Sequence, residues 1–332
     1  LTSDFTDSRI WNLMFQFQKD AVCEILKRLD SLGVCILADS VGLGKTFTAL
    51  GVIKAYLSNR KRVLVLCPKK LENNWKIFTE LDKKDNILRD DNLNYSVHFH
   101  TDMNRESEEL DRIDWGNFDL VVIDESHNFR TGFSEKKDSN GNRKENRYSF
   151  LVNKVINEGR ETKLLLLSAT PVNNRFTDLK NQLQLAYDGR KIDFSRNLGI
   201  NDIDGLFKGA EAAFTKWSKQ NNGSSVDELL EWLNPDFIPM LEKVSIARSR
   251  EHIKKFYSIN DIGSFPTRNQ PIDINKYEND KLDYVTLAFG LGNLNLSVYT
   301  PSVFIKEECK SKYPDLFISP KTGKTLSQYG RE

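Results

Sequence analysis

The segment Asp39-Ser40-Val41-Gly42-Leu43-Gly44-Lys45-Thr46 combines residue types suited to holding a chain of phosphates. Gly42 and Gly44 permit tight backbone geometry, so the loop from Val41 through Gly42, Leu43, Gly44, Lys45 and Thr46 to Phe47 can turn its amides onto phosphate oxygens. A helix starting here would add its partial positive charge. Lys45 would reach the β and γ phosphates, and the Thr46 hydroxyl would hold Mg²⁺. The strict form of this loop has Gly five residues before Gly44, where this chain has Asp39.

Two further segments have types that complete such a site. Phe118-Asp119-Leu120-Val121-Val122-Ile123 delivers Asp124-Glu125-Ser126-His127. Asp124 can orient Mg²⁺ through water, while Glu125 can take a proton from the attacking water. Leu164 to Leu167 leads into Ser168-Ala169-Thr170-Pro171-Val172-Asn173-Asn174. The hydroxyls of Ser168 and Thr170 can hydrogen-bond to His127 and sense a γ-phosphate. Taken alone, each is an ordinary acidic or Thr-Pro turn. Their fixed order, each at a strand's end, makes them an ATPase site, because ligands collect at the carboxyl edge of a parallel sheet.

The elements that must position these residues read as alternating helix and strand from about residue 11 to 187. Trp11 to Leu32 has apolar residues at helical spacing, and Gly33 ends it. Val34 to Ala38 is a continuous apolar run, and a helix through Thr48, Leu50, Ile53 and Leu57 follows the loop. Strands are expected at 62–67, 95–99, 118–123 and 164–167, and helices at 71–81, 148–156 and 179–187. Strands apolar throughout imply a parallel α/β sheet covered on both faces. Residues 131–147 are polar and read as an exposed loop. From about 190 to 258 the pattern is helical, and Gln270 to Ile274 reads as a returning strand. Gly323-Lys324-Thr325 has no strand before it and reads as a polar loop.

The chain has 332 residues, with 39% hydrophobic, 11% aromatic and 29% charged residues, which excludes disorder throughout. Its net charge of +1 excludes a histone-like polycation, although not a local basic groove. No apolar run is long enough to span a bilayer and no signal peptide is evident, so no membrane partner is expected. The missing initiator Met suggests a piece of something longer. Cys23, Cys35, Cys67 and Cys309 lack C-x-x-C spacing, which points to buried thiols in a reducing cytoplasm.

These motifs together resemble the first RecA-like lobe of superfamily-two helicases, and within them the SWI/SNF-type double-strand DNA translocases. The resemblance rests on Ala38 to Thr46, including Asp39, on Leu64-Val65-Leu66-Cys67-Pro68 with Asn74-Trp75, on Asp124 to His127, and on Ser168 to Asn174. Phe17-Gln18 looks like the Q motif, implying that Gln18 reads the adenine edge; Phe15 stands where the family usually has Arg. Ile246 to Arg250 resembles the segment leading out of the lobe. Asn128-Phe129-Arg130 looks most like bacterial helicases often fused to a phospholipase-D-like domain.

The resemblance implies an α/β P-loop NTPase with a RecA-like lobe over 1–189, a helical insertion over 190–258, and a strand and linker over 259–332. It implies ATP and Mg²⁺ as cofactors and double-stranded DNA as partner. Contacts to one strand's phosphates would come from Lys69 and Lys70, from Thr101, and from Asn173 and Asn174. Trp75 reads as packing. Lys136-Lys137 and Arg143-Lys144 read as a solvated charge run. No Q-x-x-G-R-x-x-R element follows residue 275, so the second lobe of the polypeptide would have to bring the arginine fingers. The chain alone is then expected to bind ATP·Mg²⁺ and turn it over slowly. A DEAH-like strand-separating RNA or DNA helicase, and a nucleotide-gated binder without useful turnover, remain as alternatives.

Overall fold

Six short strands, four of them apolar runs buried on both faces, build one sheet. The strands are β1 (Val34–Leu37), β2 (Val63–Cys67), β3 (Ser96–Phe99), β4 (Leu120–Asp124), β5 (Lys163–Leu167) and β6 (Ser245–Ile246). They lie in the order β3-β2-β4-β5-β1-β6, and every pairing is parallel. The computed structural model describes residues 2–104, 108–133, 146–158, 161–169, 175–187, 196–219 and 225–258. All of these fall within the first of two units, Leu1–Phe265 and Pro266–Glu332.

Because side chains alternate across a pleated strand, the sheet feeds two cores. Ile36, Leu66, Ile123 and Leu166 point to one face, where the helices Phe176–Tyr187, Ile203–Ser218 and Phe237–Val244 cover them. Leu37, Val65, Val122 and Leu165 point to the other, against the helices Gln16–Leu32 and Lys45–Ser58. Each fully buried Leu or Ile contributes about 1.5–3 kcal/mol, so the site-bearing strand ends sit on the best-anchored part of the fold.

Several expectations need adjusting. The single helix expected over 11–32 is broken at Met14–Phe15, because the Gln18 carboxamide accepts the Phe15 N–H at 3.1 Å and starts a new helix there. The helix expected over 71–81 is a 3₁₀ turn, Lys69–Leu71, followed by one α-turn, Glu72–Lys76. It stops because Asn86 takes the Phe78 and Glu80 carbonyls at 3.3 and 3.1 Å. Over 148–156 a short α-turn, Arg147–Phe150, runs into a π-helix, Leu151–Asn157.

The 190–258 stretch is not wholly helical. It delivers β6 to the edge of β1, and its residues Phe207, Phe237 and Met240 lie in the sheet's own core, with the Phe207 and Phe237 rings 5.5 Å apart. Cys35 and Cys67 are buried free thiols, each pushed up to about 12 by burial, and Cys23 is a half-buried free thiol. No helix among the described residues is long and apolar enough to cross a membrane. The expected strand at 270–274, most of the loop at 131–147, Cys309 and Gly323 to Thr325 lie outside the described residues.

Candidate active site

The expected loop lies where β1 ends. Gly42 and Gly44 both have positive φ (84° and 75°), and the helix begins at Lys45. A Cβ on Gly44 would sit 2.5 Å from Gln18 Nε2, so a side chain here would displace the Gln18 amide as well as strain the left-handed backbone. Lys45 Nζ donates to the Asp39 carbonyl at 2.8 Å, which folds the ammonium back over the loop it would share with phosphates. Leu43 is buried, Val41 is exposed, and Thr46 is half-buried at the helix's first turn. Phe47 packs edge-on to Phe78 at 6.5 Å.

Gln18 is buried, and its amide is used twice. Oε1 accepts from Phe15 N–H, and Nε2 donates to the Leu43 carbonyl at 3.2 Å. It therefore ties the start of its own helix to the phosphate loop, leaving one amide hydrogen and one carbonyl lone pair for other partners.

Asp39, anomalous in sequence, has a structural task. Its fully buried carboxylate receives the Arg248 backbone N–H and Nε, each at 3.0 Å, and Nη2 of the same guanidinium. Arg248 Nη1 donates to the Phe17 carbonyl, and the guanidinium lies 5.1 Å from the Phe17 ring centroid. Two residues on, Arg250 donates to the Val41 carbonyl at 3.3 Å. Sequence reasoning missed this anchor because its partners are 209 residues apart. The one available signal was a carboxylate in a position that ordinarily takes glycine.

The acidic pair lies at the same edge, at the end of β4, with β5 between it and β1. Two inter-strand spacings make about 10 Å, a gap that a metal-bound phosphate can bridge. Burial pushes the Asp124 carboxyl up from the usual carboxylate range, opposed by the Trp75 indole and the Lys45 ammonium. Its Oδ2 accepts from Trp75 Nε1 at 3.0 Å, and its Oδ1 from the Glu125 N–H at 2.9 Å. Trp75 is fully buried, as expected for packing, yet its one donor is spent on this carboxylate.

Glu125 has left-handed φ (51°), uncommon for a non-glycine residue and often a mark of a functional site. That turn separates the direction of its side chain from that of Asp124. Glu125 Oε2 lies 3.3 Å from Nδ1 of half-buried His127. Ser126 is sealed beneath, donating to Gln182 Oε1 at 2.7 Å. Ser168, also buried, donates its N–H to the Leu37 carbonyl at 3.2 Å and so sits between the loop and the acidic pair. Thr170, Asn173 and Asn174 lie outside the described residues.

Of the expected nucleic-acid contacts, Lys69, Lys70 and Thr101 are exposed. Lys69 is paired with Glu72 at 2.7 Å and lies 4.0 Å above the Phe99 ring. The ammonium groups of Lys69 and Lys76 hold the Glu72 carboxyl below its usual range. His100, beside Thr101, is buried, its ring nitrogen 3.3 Å from the Leu66 carbonyl. Among the described residues no group of three or more His, Cys, Asp or Glu side chains gathers as a metal cage. The Thr46 hydroxyl and the Asp124 carboxylate are hard oxygen donors, few in number. That set fits Mg²⁺ carried with its waters and a phosphate chain rather than a protein-enclosed ion.

With this geometry in place, the relatives are informative. Residues 13–173 match a family described as "Type III restriction enzyme, res subunit". The human protein ZRANB3, a "DNA annealing helicase and endonuclease", is 27% identical over 213 residues, covering 58% of this chain and 18% of its own. YqhH of Bacillus subtilis (strain 168), an "uncharacterized ATP-dependent helicase", is 31% identical over 166 residues, covering 47% of this chain and 27% of its own. The chain thus spans about a quarter or less of the length of these curated relatives. Among solved structures, the Sulfolobus solfataricus SWI2/SNF2 ATPase core in complex with dsDNA aligns with a TM-score of 0.45 at 16% identity. That alignment covers 75% of this chain and 46% of the other.

Proposed function

We propose that this chain carries the first RecA-like lobe of a superfamily-two helicase and is the ATP-binding half of a motor that moves along double-stranded DNA. The observation that carries the reading is the shared edge. Lys45 follows β1, the Asp124-Glu125 pair ends β4, and only β5 separates them.

In this reading the amides from Gly42 to Phe47 cradle the phosphates, with exposed Val41 at the rim, and Lys45 exchanges the Asp39 carbonyl for β and γ phosphate oxygens. Thr46 and Asp124 hold Mg²⁺, which when bound neutralises charge on the β and γ oxygens. Glu125 takes a proton from the attacking water, and its neighbour His127 passes the state of the site toward Ser168 and Thr170. Gln18 keeps the loop in shape and offers its remaining amide groups to the adenine. A second lobe of the same polypeptide would close over the nucleotide and bring arginine fingers.

Lys69, Lys70, Thr101, Asn173 and Asn174 would grip phosphates of one DNA strand without reading sequence. The name of ZRANB3 supports DNA as the substrate. The test is the ATPase rate of the full-length protein with and without nucleic acid. Duplex DNA is expected to stimulate it and single-stranded RNA is not; stronger stimulation by RNA would replace the translocase with a strand-separating helicase.

A further inference from the structure

We propose that Trp75 is a positioning residue for Asp124, and that through it contact between DNA and the Lys69–Lys76 segment sets the metal site. The proposal rests on the reading of Asp124 as the Mg²⁺-orienting group and of Lys69 and Lys70 as phosphate contacts.

An indole has one donor and no acceptor. Trp115 and Trp217 give that donor to carbonyls close in sequence, Leu110 at 3.3 Å and Ser225 at 3.0 Å. Trp75 instead reaches a carboxylate 49 residues away at 3.0 Å. Its ring is held by packing: Trp75 is fully buried and the Tyr95 ring lies edge-on at 6.4 Å, while the Tyr95 hydroxyl reaches only the backbone, donating to the Trp75 carbonyl at 2.6 Å. With Trp75 on Oδ2 and the Glu125 N–H on Oδ1, both oxygens of Asp124 are held. Each keeps a lone pair for a metal-bound water. Outer partners of this kind orient metal-binding carboxylates, and their loss commonly costs ten- to a hundred-fold in metal affinity or activity.

The same residue belongs to the segment nearest the expected DNA contacts. The turn Lys69–Leu71 runs without a break into Glu72–Lys76, so Trp75 moves with Lys69 and Lys70. Glu72 clamps that segment by pairing with Lys69 at 2.7 Å and Lys76 at 2.6 Å. A DNA phosphate on Lys69 competes with Glu72, loosens the clamp, and shifts the turn that aims the indole. Phosphate contact outside the sheet and metal geometry inside it are thereby linked through one hydrogen bond.

The experiment compares the full-length protein with Trp75→Phe. A second variant replaces the indole by its benzothiophene analogue, which keeps the ring shape, and so the fold, but lacks the N–H. Both are expected to need about ten-fold more Mg²⁺ to saturate ATP binding, titrated at equilibrium without turnover, as well as for half-maximal ATPase, and to lose most of their stimulation by duplex DNA. Tyr95→Phe, which removes a different buried hydrogen bond to the same residue, is expected to change neither. The proposal is overturned if the benzothiophene variant keeps wild-type Mg²⁺ dependence or wild-type DNA stimulation, or if Tyr95→Phe shifts both equally. Asp124→Asn separates this from failure of the underlying reading. If Asp124→Asn alters Mg²⁺ dependence and the Trp75 variants do not, the positioning role alone fails. If Asp124→Asn has no effect, both fail.

Discussion

Arg248 grips both carboxylate oxygens of Asp39 beneath the phosphate loop, with the carboxylate fully buried and the guanidinium side chain 9% exposed. Backbone bonds run alongside: Ala38 N–H to the Ile246 carbonyl at 2.7 Å and Ser40 N–H to the Arg248 carbonyl at 3.0 Å. The chain leaving β6 is thus zipped to the chain leaving β1. In this protein the first position of the phosphate loop is a buried ionic anchor for the far end of the lobe.

Asp39→Gly restores the strict loop pattern, yet it should weaken the protein. Removing one member of a buried pair strands the other's charge and costs about 3–5 kcal/mol. Chemical denaturation should show a lower midpoint with an unchanged slope. Asp39→Gly combined with Arg248→Met should recover much of the loss, since no charge is then left unpaired. A single variant as stable as wild type would remove the anchor from the account.

Glu125→Gln and Lys45→Ala should fail in different ways. Loss of the proposed general base should lower turnover about 10²–10⁴-fold while ATP still binds. Loss of the lysine should weaken nucleotide binding itself, because in the proposed site the ammonium exchanges the Asp39 carbonyl for phosphate oxygens. Equilibrium binding and steady-state rates on the full-length protein distinguish the two. A Glu125→Gln protein with normal turnover would favour a nucleotide-gated binder.

How far these features could be read from sequence depends on how local their physics is. β1, β2, β4 and β5 are buried on both faces, so they appear as unbroken apolar runs, and the glycine loop and acidic pair follow them directly. β6 has two residues, too few for any period, and Asp39–Arg248 is a pairing across the whole lobe that no spacing announces. The break before Gln16 was hidden because apolar spacing continues through Met14. The donor of Trp75 was hidden because a packed indole and a positioning indole look alike until Asp124 is set beside one of them.

The link from the acidic turn to the helix after β5 can be tested through Ser126 and Gln182, both fully buried. Gln182→Leu keeps the bulk but removes the acceptor, leaving a hydroxyl without its partner at a cost of about 1–3 kcal/mol. Ser126→Ala added to it should restore part of that stability, giving a coupling energy near 1 kcal/mol in a double-mutant cycle. Additive losses would mean that the two side chains are not coupled.

His100 should make the lobe acid-sensitive in a defined window. Its ring is buried against Phe129, centroids 5.1 Å apart; Nε2–H donates to the Leu66 carbonyl, a bond that favours the charged ring, but burial outweighs it and keeps the folded ring neutral. Burial lowers its pKa from 6.5 to about 4. Above pH 6.5 neither folded nor unfolded chain protonates it, and its contribution is constant. Between 6.5 and 4 the unfolded chain takes up a proton that the folded one refuses, so stability falls as pH falls, by up to about 3 kcal/mol at the lower end. His100→Gln keeps an amide donor for Leu66 and cannot titrate. Urea denaturation at pH 7.5, 5.5 and 4.5 should show the wild-type midpoint dropping relative to that variant only at the two lower values. A constant difference across all three would mean that the folded protein protonates His100 as readily as the unfolded chain does.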